Sequence, residues 1–143
     1  MTIKEPMSKH YLKLEEPKNL TPEQLEKWNA YYQPRNAAFE TADLQGQDLV
    51  RWKFNRYMHD YLACTKSVDE SVGRIATFLK DNKLDQNTLV VYSSDQGFYL
   101  GEHGWFDKRC IFEDSLRTPL FVKWPAVVAL GTTDGQIVSI AAW

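Results

Sequence analysis

The chain has 143 residues, 43% of them hydrophobic and 13% aromatic, which favours one packed domain, or a piece of a larger one, over disorder. Its 17 basic and 19 acidic side chains are well mixed and give a formal net charge of -2, which makes nucleic acid a poor candidate partner. No apolar run approaches the about 20 residues of a membrane span. Cys64 and Cys110 lie outside any CxxC or CxxH pattern, and we expect both to be free thiols.

Residues 1–46 are predicted to hold an irregular arm, a short helix and a connection. The helix is expected over residues 21–33, because Thr21 can cap it and Gln24 lies where a capping box places its side-chain amide. Pro34 is expected to end it, since the residue before a proline disfavours helical backbone angles.

A second, longer helix is predicted from near Gln47 to Asn82. Its apolar residues recur every three or four positions and form one stripe: Tyr57, Tyr61, Cys64, Val68, Val72, Ile75 and Leu79. A stripe at helical period indicates that this face packs on an apolar layer.

Two strands and a short helix follow. The run TLVVYS at 88–93 is rich in β-branched residues and predicts a buried parallel strand. A helix is expected over roughly 110–116, and a second strand over 119–124, PLFVKW. This alternation of helix and strand predicts an α/β layer structure.

Polar and ionisable side chains gather in residues 94–110, SDQGFYLGEHGWFDKRC, directly after the first predicted strand. Ligand sites of open parallel sheets lie beyond the carboxyl ends of the strands. Asp95 offers a carboxylate and Gln96 an amide oxygen, which suit calcium or magnesium better than zinc or copper. Lys108 can hold an anionic oxygen. His103 can donate to a leaving-group oxygen or bind a substrate.

The same residue types also allow a simpler interpretation. An Asp-Gln pair after a strand commonly forms a turn, and a single histidine or lysine in a loop is commonly solvated. Composition alone therefore leaves open both a metal and oxyanion site and a plain polar loop. Glu102, Asp107 and Arg109 are expected to shape the loop or to be surface charges.

One stretch resembles a known family. The run TLVVYSSDQGFYLGEHGWFDKR, preceded by SVDESVGRIATFLKDNKLDQN and followed by EDSLRTPLFVKWP, closely resembles the C-terminal part of the catalytic domain of type I sulfatases, which belong to the alkaline phosphatase-like superfamily. The resemblance covers at least residues 47–125. It implies that residues 47–143 are the C-terminal portion of this domain, truncated, and part of an αβα sandwich with a mostly parallel sheet.

The resemblance also implies a chemistry. Asp95 and Gln96 would supply half of a calcium site, Lys108 would contact the sulfate, and His103 matches a position that lies in the substrate pocket of some members. Lys108 and His103 are thus the expected catalytic and substrate-binding residues. In a complete relative, a hydrated formylglycine attacks the sulfur of a sulfated sugar or aryl sulfate. The parent protein is expected to be periplasmic or secreted, although we find no signal peptide in this sequence.

Part of the family pattern is missing from these residues. Formylglycine is made from the first residue of a Cys/Ser-x-Pro-x-Arg motif, which neither Cys64 nor Cys110 begins, and no Asp-Asp pair occurs. We therefore expect a sulfatase fragment that is inactive alone, because loss of the nucleophile removes most of the rate. Two alternatives stay open: a non-catalytic, sulfatase-like binding remnant, and a phosphonate or phosphodiester hydrolase relative. An exposed core face is expected to make the isolated chain self-associate.

Overall fold

A computed structural model describes residues 11–125, 127–129 and 131–136 of the protein. The described residues form helices and strands in the order α1 (Pro22–Ala42), α2 (Gly46–Asp81), β1 (Val90–Ser93), β2 (Tyr99–Leu100), β3 (Phe106–Asp107), α3 (Glu113–Leu116) and β4 (Leu120–Lys123). A 3-10 turn at Glu102–Gly104 joins β2 to β3, and these two strands pair. The mixed helix and strand class predicted from the sequence is confirmed.

The chain divides into two compact units. The first comprises residues up to Ala63 together with Leu100–Phe106. The second comprises Cys64–Tyr99 and the residues from Asp107 onward.

Helix α1 begins as predicted but continues beyond its predicted end. The Thr21 hydroxyl accepts from the Gln24 amide at 3.3 Å, and the Gln24 side chain accepts from the Thr21 amide at 2.9 Å, which confirms the capping box. The expected end at Pro34 is wrong, because α1 runs through this residue to Ala42.

Tertiary contacts beyond Pro34 explain the continuation of α1. The side-chain amide of Asn36 donates to the Lys13 carbonyl at 2.9 Å. The Phe39 ring stacks on Trp52, with the ring centroids 3.8 Å apart. Such contacts offset the about 3 kcal/mol that a proline costs inside a helix.

Helix α2 confirms the predicted long helix to within one residue at each end. In the first unit its apolar stripe is partly covered, since Tyr57 meets the Phe106 ring at 5.5 Å. In the second unit the stripe is open: Val68 is 49% exposed and Ile75 58%. The expected apolar layer over this second half is not found among the described residues.

Strands β1 and β4 confirm the two predicted strands but not their surroundings. They pair antiparallel, with Val91 opposite Val122, and Val91 is 41% exposed. The expectation of a buried parallel strand is therefore wrong. The crossover of a parallel pair is usually an α-helix, whereas the connection from β1 to β4 contains the β2–β3 pair, a 3-10 turn and an α-helix of only four residues.

The core of the first unit lies between the N-terminal arm and α2. Leu12 and Phe106 are 2% and 3% exposed and form its centre. The arm is irregular over residues 11–20, as predicted, yet it supplies Leu12 to the core. Residues 1–10 of the arm and the apolar end of the predicted tail lie outside the described residues.

Two simpler expectations can also be compared with the structure. Cys64 and Cys110 are free thiols, as predicted. No helix within the described ranges has the length and apolar character needed to cross a membrane.

Candidate functional site

Strand β1 leads directly into a tight bend that carries Asp95 and Gln96. The Ser94 hydroxyl accepts from the Gln96 amide at 3.4 Å and donates to the Gln96 carbonyl at 2.8 Å, so a serine turn fixes the backbone of the pair. Asp95 is exposed and Gln96 is half-buried. The Asp95 carboxylate makes no ion pair with a described residue, and it is open to a ligand from solvent.

Gly97 lets the chain after this bend pass against α3. Its amide donates to the Ser115 carbonyl at 2.9 Å. A Cβ at this position would overlap the Asp114 carbonyl oxygen and would lie 2.8 Å from the Arg117 carbonyl oxygen. The close approach of two backbones therefore explains why glycine occupies this position.

Ser115 connects the bend to the segment that carries Lys108. It is 8% exposed. Its carbonyl accepts from Gly97, and its hydroxyl donates to the Lys108 carbonyl at 3.1 Å. One buried residue thus holds the backbones on which both the Asp95–Gln96 pair and Lys108 lie. Sequence reasoning did not single out Ser115, and the only available signal was its place in the EDSLRTPL segment.

Lys108 is exposed and makes no ion pair within the described ranges. Asp107, the acid beside it, pairs instead with Arg109 at 3.3 Å. Glu102 accepts from the Leu100 amide at 2.6 Å. Asp107, Arg109 and Glu102 are therefore surface or loop-shaping charges, as predicted, and the Lys108 ammonium is available to an anion.

Tyr99 is bonded to the chain segment that follows Lys108. It is 1% exposed, and its hydroxyl donates to the Cys110 carbonyl at 3.4 Å. Burial raises the pKa of Tyr99, and the Cys110 and Asp114 charges act in the same direction. The phenol therefore stays protonated and keeps its hydrogen bond.

His103 lies in the first unit, in the turn Glu102–Gly104. Its backbone is left-handed, with φ 56° and ψ 13°, a conformation in which histidine is enriched among non-glycine residues. The side chain is exposed, and its ring lies 5.6 Å from that of Trp105. The structure thus brings Asp95, Gln96 and Lys108 into one unit, and His103 belongs to the other.

The donor set fits part of a calcium site. Asp95 and Gln96 offer two adjacent oxygen donors, whereas calcium takes about six to eight oxygen ligands. Within the described ranges, no three or more His, Cys, Asp or Glu side chains are grouped so as to hold a metal ion. The pair can therefore complete a calcium shell that other residues begin, but it cannot form one alone.

The family model described as Sulfatase matches residues 8–140. The N-acetylglucosamine-6-O-sulfatase of Bacteroides thetaiotaomicron is 46% identical over 121 residues, which cover 84% of this chain and 22% of that protein. The sulfatase of Formosa agariphila is 39% identical over 88 residues, which cover 58% of this chain and 17% of that protein.

The fold has a similar counterpart among solved structures. A protein solved in complex with its substrate D-glucosamine-2-N,6-O-disulfate matches with a TM-score of 0.82 at 38% identity. The match covers 92% of this chain and 30% of that one. This chain thus spans less than a third of the length of these relatives.

Proposed function

The chain belongs to the sulfatase family, and on that premise we propose that Asp95, Gln96 and Lys108 form one side of a sulfate-ester hydrolase site. The observation that carries the proposal is the double connection through Ser115. This residue bonds Gly97 at 2.9 Å and Lys108 at 3.1 Å, so the predicted metal ligands and the predicted sulfate ligand depend on one buried anchor.

Each residue has a proposed task. Asp95 and Gln96 give two oxygen ligands to calcium, which when bound supplies positive charge that polarises the sulfate oxygens. Lys108 holds an anionic sulfate oxygen with a compact charge that is not neutralised by a described acid. Positive charge at that oxygen stabilises the transition state as negative charge passes to the leaving group.

His103 is proposed as a substrate-binding residue. Its exposed ring can donate a proton or a hydrogen bond to the oxygen of the leaving group. Its position in an exposed turn, with the ring open to solvent, supports the role.

The substrate class follows from the relatives. The Bacteroides relative is named for a 6-O-sulfated amino sugar, and the solved relative holds a disulfated glucosamine. We infer that a sulfated sugar, rather than an aryl sulfate, is the substrate of the complete site. The formylglycine motif is absent from these 143 residues, so we propose that the chain alone is an inactive fragment.

A chimera tests the proposal. This chain replaces the matched stretch of the Bacteroides enzyme, and sulfate release from N-acetylglucosamine-6-sulfate is measured. We expect the chimera to be active, Lys108→Ala to lower kcat/KM by at least about 100-fold, and Asp95→Asn to raise the calcium concentration needed for activity. The matched control is Lys66→Ala, which removes an exposed lysine that pairs with Glu70 at 3.8 Å.

The outcomes separate the alternatives. A chimera as active with Lys108→Ala as with Lys66→Ala would refute the assigned role of Lys108. A chimera that hydrolyses aryl phosphonates in preference to sulfates would favour the phosphonate hydrolase relative. A folded chimera that binds the sugar without turnover would favour the binding remnant.

We further propose that the second unit associates with a second copy of the chain. Large apolar side chains on α2, β1 and β4 are exposed, among them Phe78 at 60% and Phe121 at 65%. Exposed apolar side chains of this size are costly in water, and clusters of them ordinarily mark a contact.

A further inference from the structure

The first unit contains a cleft of about 360 Å³ lined by side chains of α1 and α2. Its lining includes two arginines, Arg35 and Arg56, a histidine, His59, and the aromatic rings of Tyr31 and Trp52. It includes no aspartate and no glutamate. An acid-free cleft with two guanidinium groups is unusual in a chain whose formal net charge is -2.

Arg56 is the more informative of the two arginines because it is only 8% exposed. Its Nε donates to the Leu12 carbonyl at 3.1 Å and its Nη2 to the Asn36 side chain at 2.8 Å. Both partners are neutral, and within the described ranges Arg56 forms no ion pair. Buried charges are ordinarily paired, so this guanidinium lacks the counter-charge that its burial calls for.

A nearby acid does not fill this role by direct contact. Asp60, one turn further along α2, accepts from the Tyr32 hydroxyl at 3.1 Å and does not line the cleft. The Tyr32 ring also lies 4.7 Å from the Arg56 guanidinium. No acid among the described residues lines the cleft, so the cleft side of Arg56 faces no carboxylate.

Arg35 adds a second, exposed guanidinium. It lies 3.8 Å from the centroid of the Tyr31 ring and donates to the Tyr31 carbonyl at 2.6 Å. The Tyr31 hydroxyl is 3.3 Å from Nδ1 of His59. These contacts orient the Arg35 and His59 side chains, and none of the contacting groups is an acid.

We propose that this cleft binds a sulfate or carboxylate group carried on a sugar ring, at a site separate from that of Lys108. Guanidinium groups match the planar pairs of oxygens that both anions present. The aromatic rings give the sugar an apolar wall, as in other small-molecule sites. Such a site would hold one sugar unit of an anionic saccharide.

Calorimetric titration of the full chain at low salt tests the proposal with three tetrasaccharides. A heparin tetrasaccharide carries sulfates and carboxylates, a hyaluronan tetrasaccharide carries carboxylates alone, and fully N-acetylated chitotetraose is neutral. We expect one or both anionic probes to bind and chitotetraose not to bind. Binding of hyaluronan identifies carboxylate as sufficient, whereas binding of heparin alone identifies sulfate.

Three single substitutions locate the binding. Arg35→Ala should raise the Kd at least tenfold, about 1.4 kcal/mol. Arg51→Ala is the matched control, because Arg51 lies on α2 outside the cleft, pairs with Asp48 at 3.1 Å, and changes the net charge equally. Arg51→Ala should leave the Kd within twofold, and Lys108→Ala reports how much of the binding occurs at the proposed sulfate site instead. Arg56 is kept, since its removal would also withdraw the contacts to Leu12 and Asn36.

Several results would overturn the proposal. An equal loss with Arg35→Ala and Arg51→Ala would mean attraction by net charge. Binding that depends on Lys108 but not on Arg35 would belong to the proposed sulfate site. Equal binding of chitotetraose, or no binding of either anion, would also refute it. Failure here leaves the Lys108 proposal untouched, because the chimera assay compares Lys108→Ala with Lys66→Ala while Arg35 stays the same in both.

Discussion

Replacement of Gly97 by alanine tests whether the close approach of the bend to α3 organises the candidate site. The added Cβ would overlap the Asp114 carbonyl oxygen and would lie 2.9 Å from the Asp114 carbonyl carbon. Both are backbone atoms, so no side-chain rotation relieves the overlap. Either the bend or α3 must move, and the bond from residue 97 to Ser115 is then lost.

The expected magnitude has two parts. Overpacking against a fixed backbone costs about 1–3 kcal/mol. Loss of a buried backbone hydrogen bond adds about 1 kcal/mol. The Gly97→Ala substitution should therefore lower the free energy of unfolding of the second unit by about 2–4 kcal/mol.

Hydrogen exchange of individual amides measures this locally. The amides of Ser115 and Arg117 donate inside the segment that must move. Their exchange should become up to about 30- to 700-fold faster in Gly97→Ala. Gly73→Ala is the control, because Gly73 lies inside α2 and a Cβ there would meet no atom within 4 Å. It should stabilise the helix by about 0.5–1 kcal/mol.

An unchanged exchange rate at Ser115 and Arg117 in Gly97→Ala would refute the reasoning. It would mean that the bend and α3 are not packed against each other as the structure describes. Ser115 could then not connect the Asp95–Gln96 pair to Lys108, and the observation that carries the proposed function would fail with it.

Three further predictions concern single features. Ser115→Ala removes the bond to the Lys108 carbonyl, so it should cost about 1 kcal/mol in urea unfolding and weaken sulfate binding in a titration; unchanged binding would contradict its anchoring role. Burial, followed by the charge and hydrogen bond of Asp60, raises the pKa of Tyr32 from 10.0 to about 12. As the pH rises, Tyr32 therefore loses its proton at a lower pH in the unfolded chain than in the folded chain. The contribution of Tyr32 to stability is therefore fully present below pH 10 and is lost as the pH rises towards 12. Between these pH values, Tyr32→Phe should show a smaller fall in melting temperature than the parent chain. An equal fall would exclude Tyr32 as the cause. Phe121→Glu should lower the mean sedimentation coefficient of the chain, and a monomeric parent chain would contradict self-association.

The parts of the fold that the sequence predicts correctly depend on local chemistry. Thr21 and Gln24 form their capping box through contacts three residues apart. Helix α2 follows from the period of its apolar residues, and β1 and β4 follow from β-branched runs. A turn at Asp95–Gln96 was one of the two interpretations that their position after a strand left open, and the structure has a bend there.

The features that the sequence does not predict depend on contacts between residues that are well separated along the chain. Pro34 would end α1 if Phe39 and Asn36 did not pack on residues far along the chain. Ser115 cannot be recognised from the sequence. It bonds the backbones of Gly97 and Lys108, and backbone partners do not depend on residue type. For the candidate site, residue chemistry therefore points to the proposed ligands but not to Ser115, which connects their backbones.

The disagreement between sequence and structure in the second unit is itself informative. The runs 88–93 and 119–124 have the apolar composition of covered strands, yet Val91, Val122 and Phe121 are 41%, 41% and 65% exposed. Such a composition would be a liability for solubility if these faces met only water. The pattern therefore points to a partner surface over β1 and β4 in the functional assembly. A second copy would cover this surface and do no more, whereas a complementary sulfatase segment would also add ligands to the proposed calcium site. The two partners can be distinguished by adding the complementary segment to the chain. If that segment is the natural partner, the mixture should gain affinity for calcium and the chain should stop self-associating.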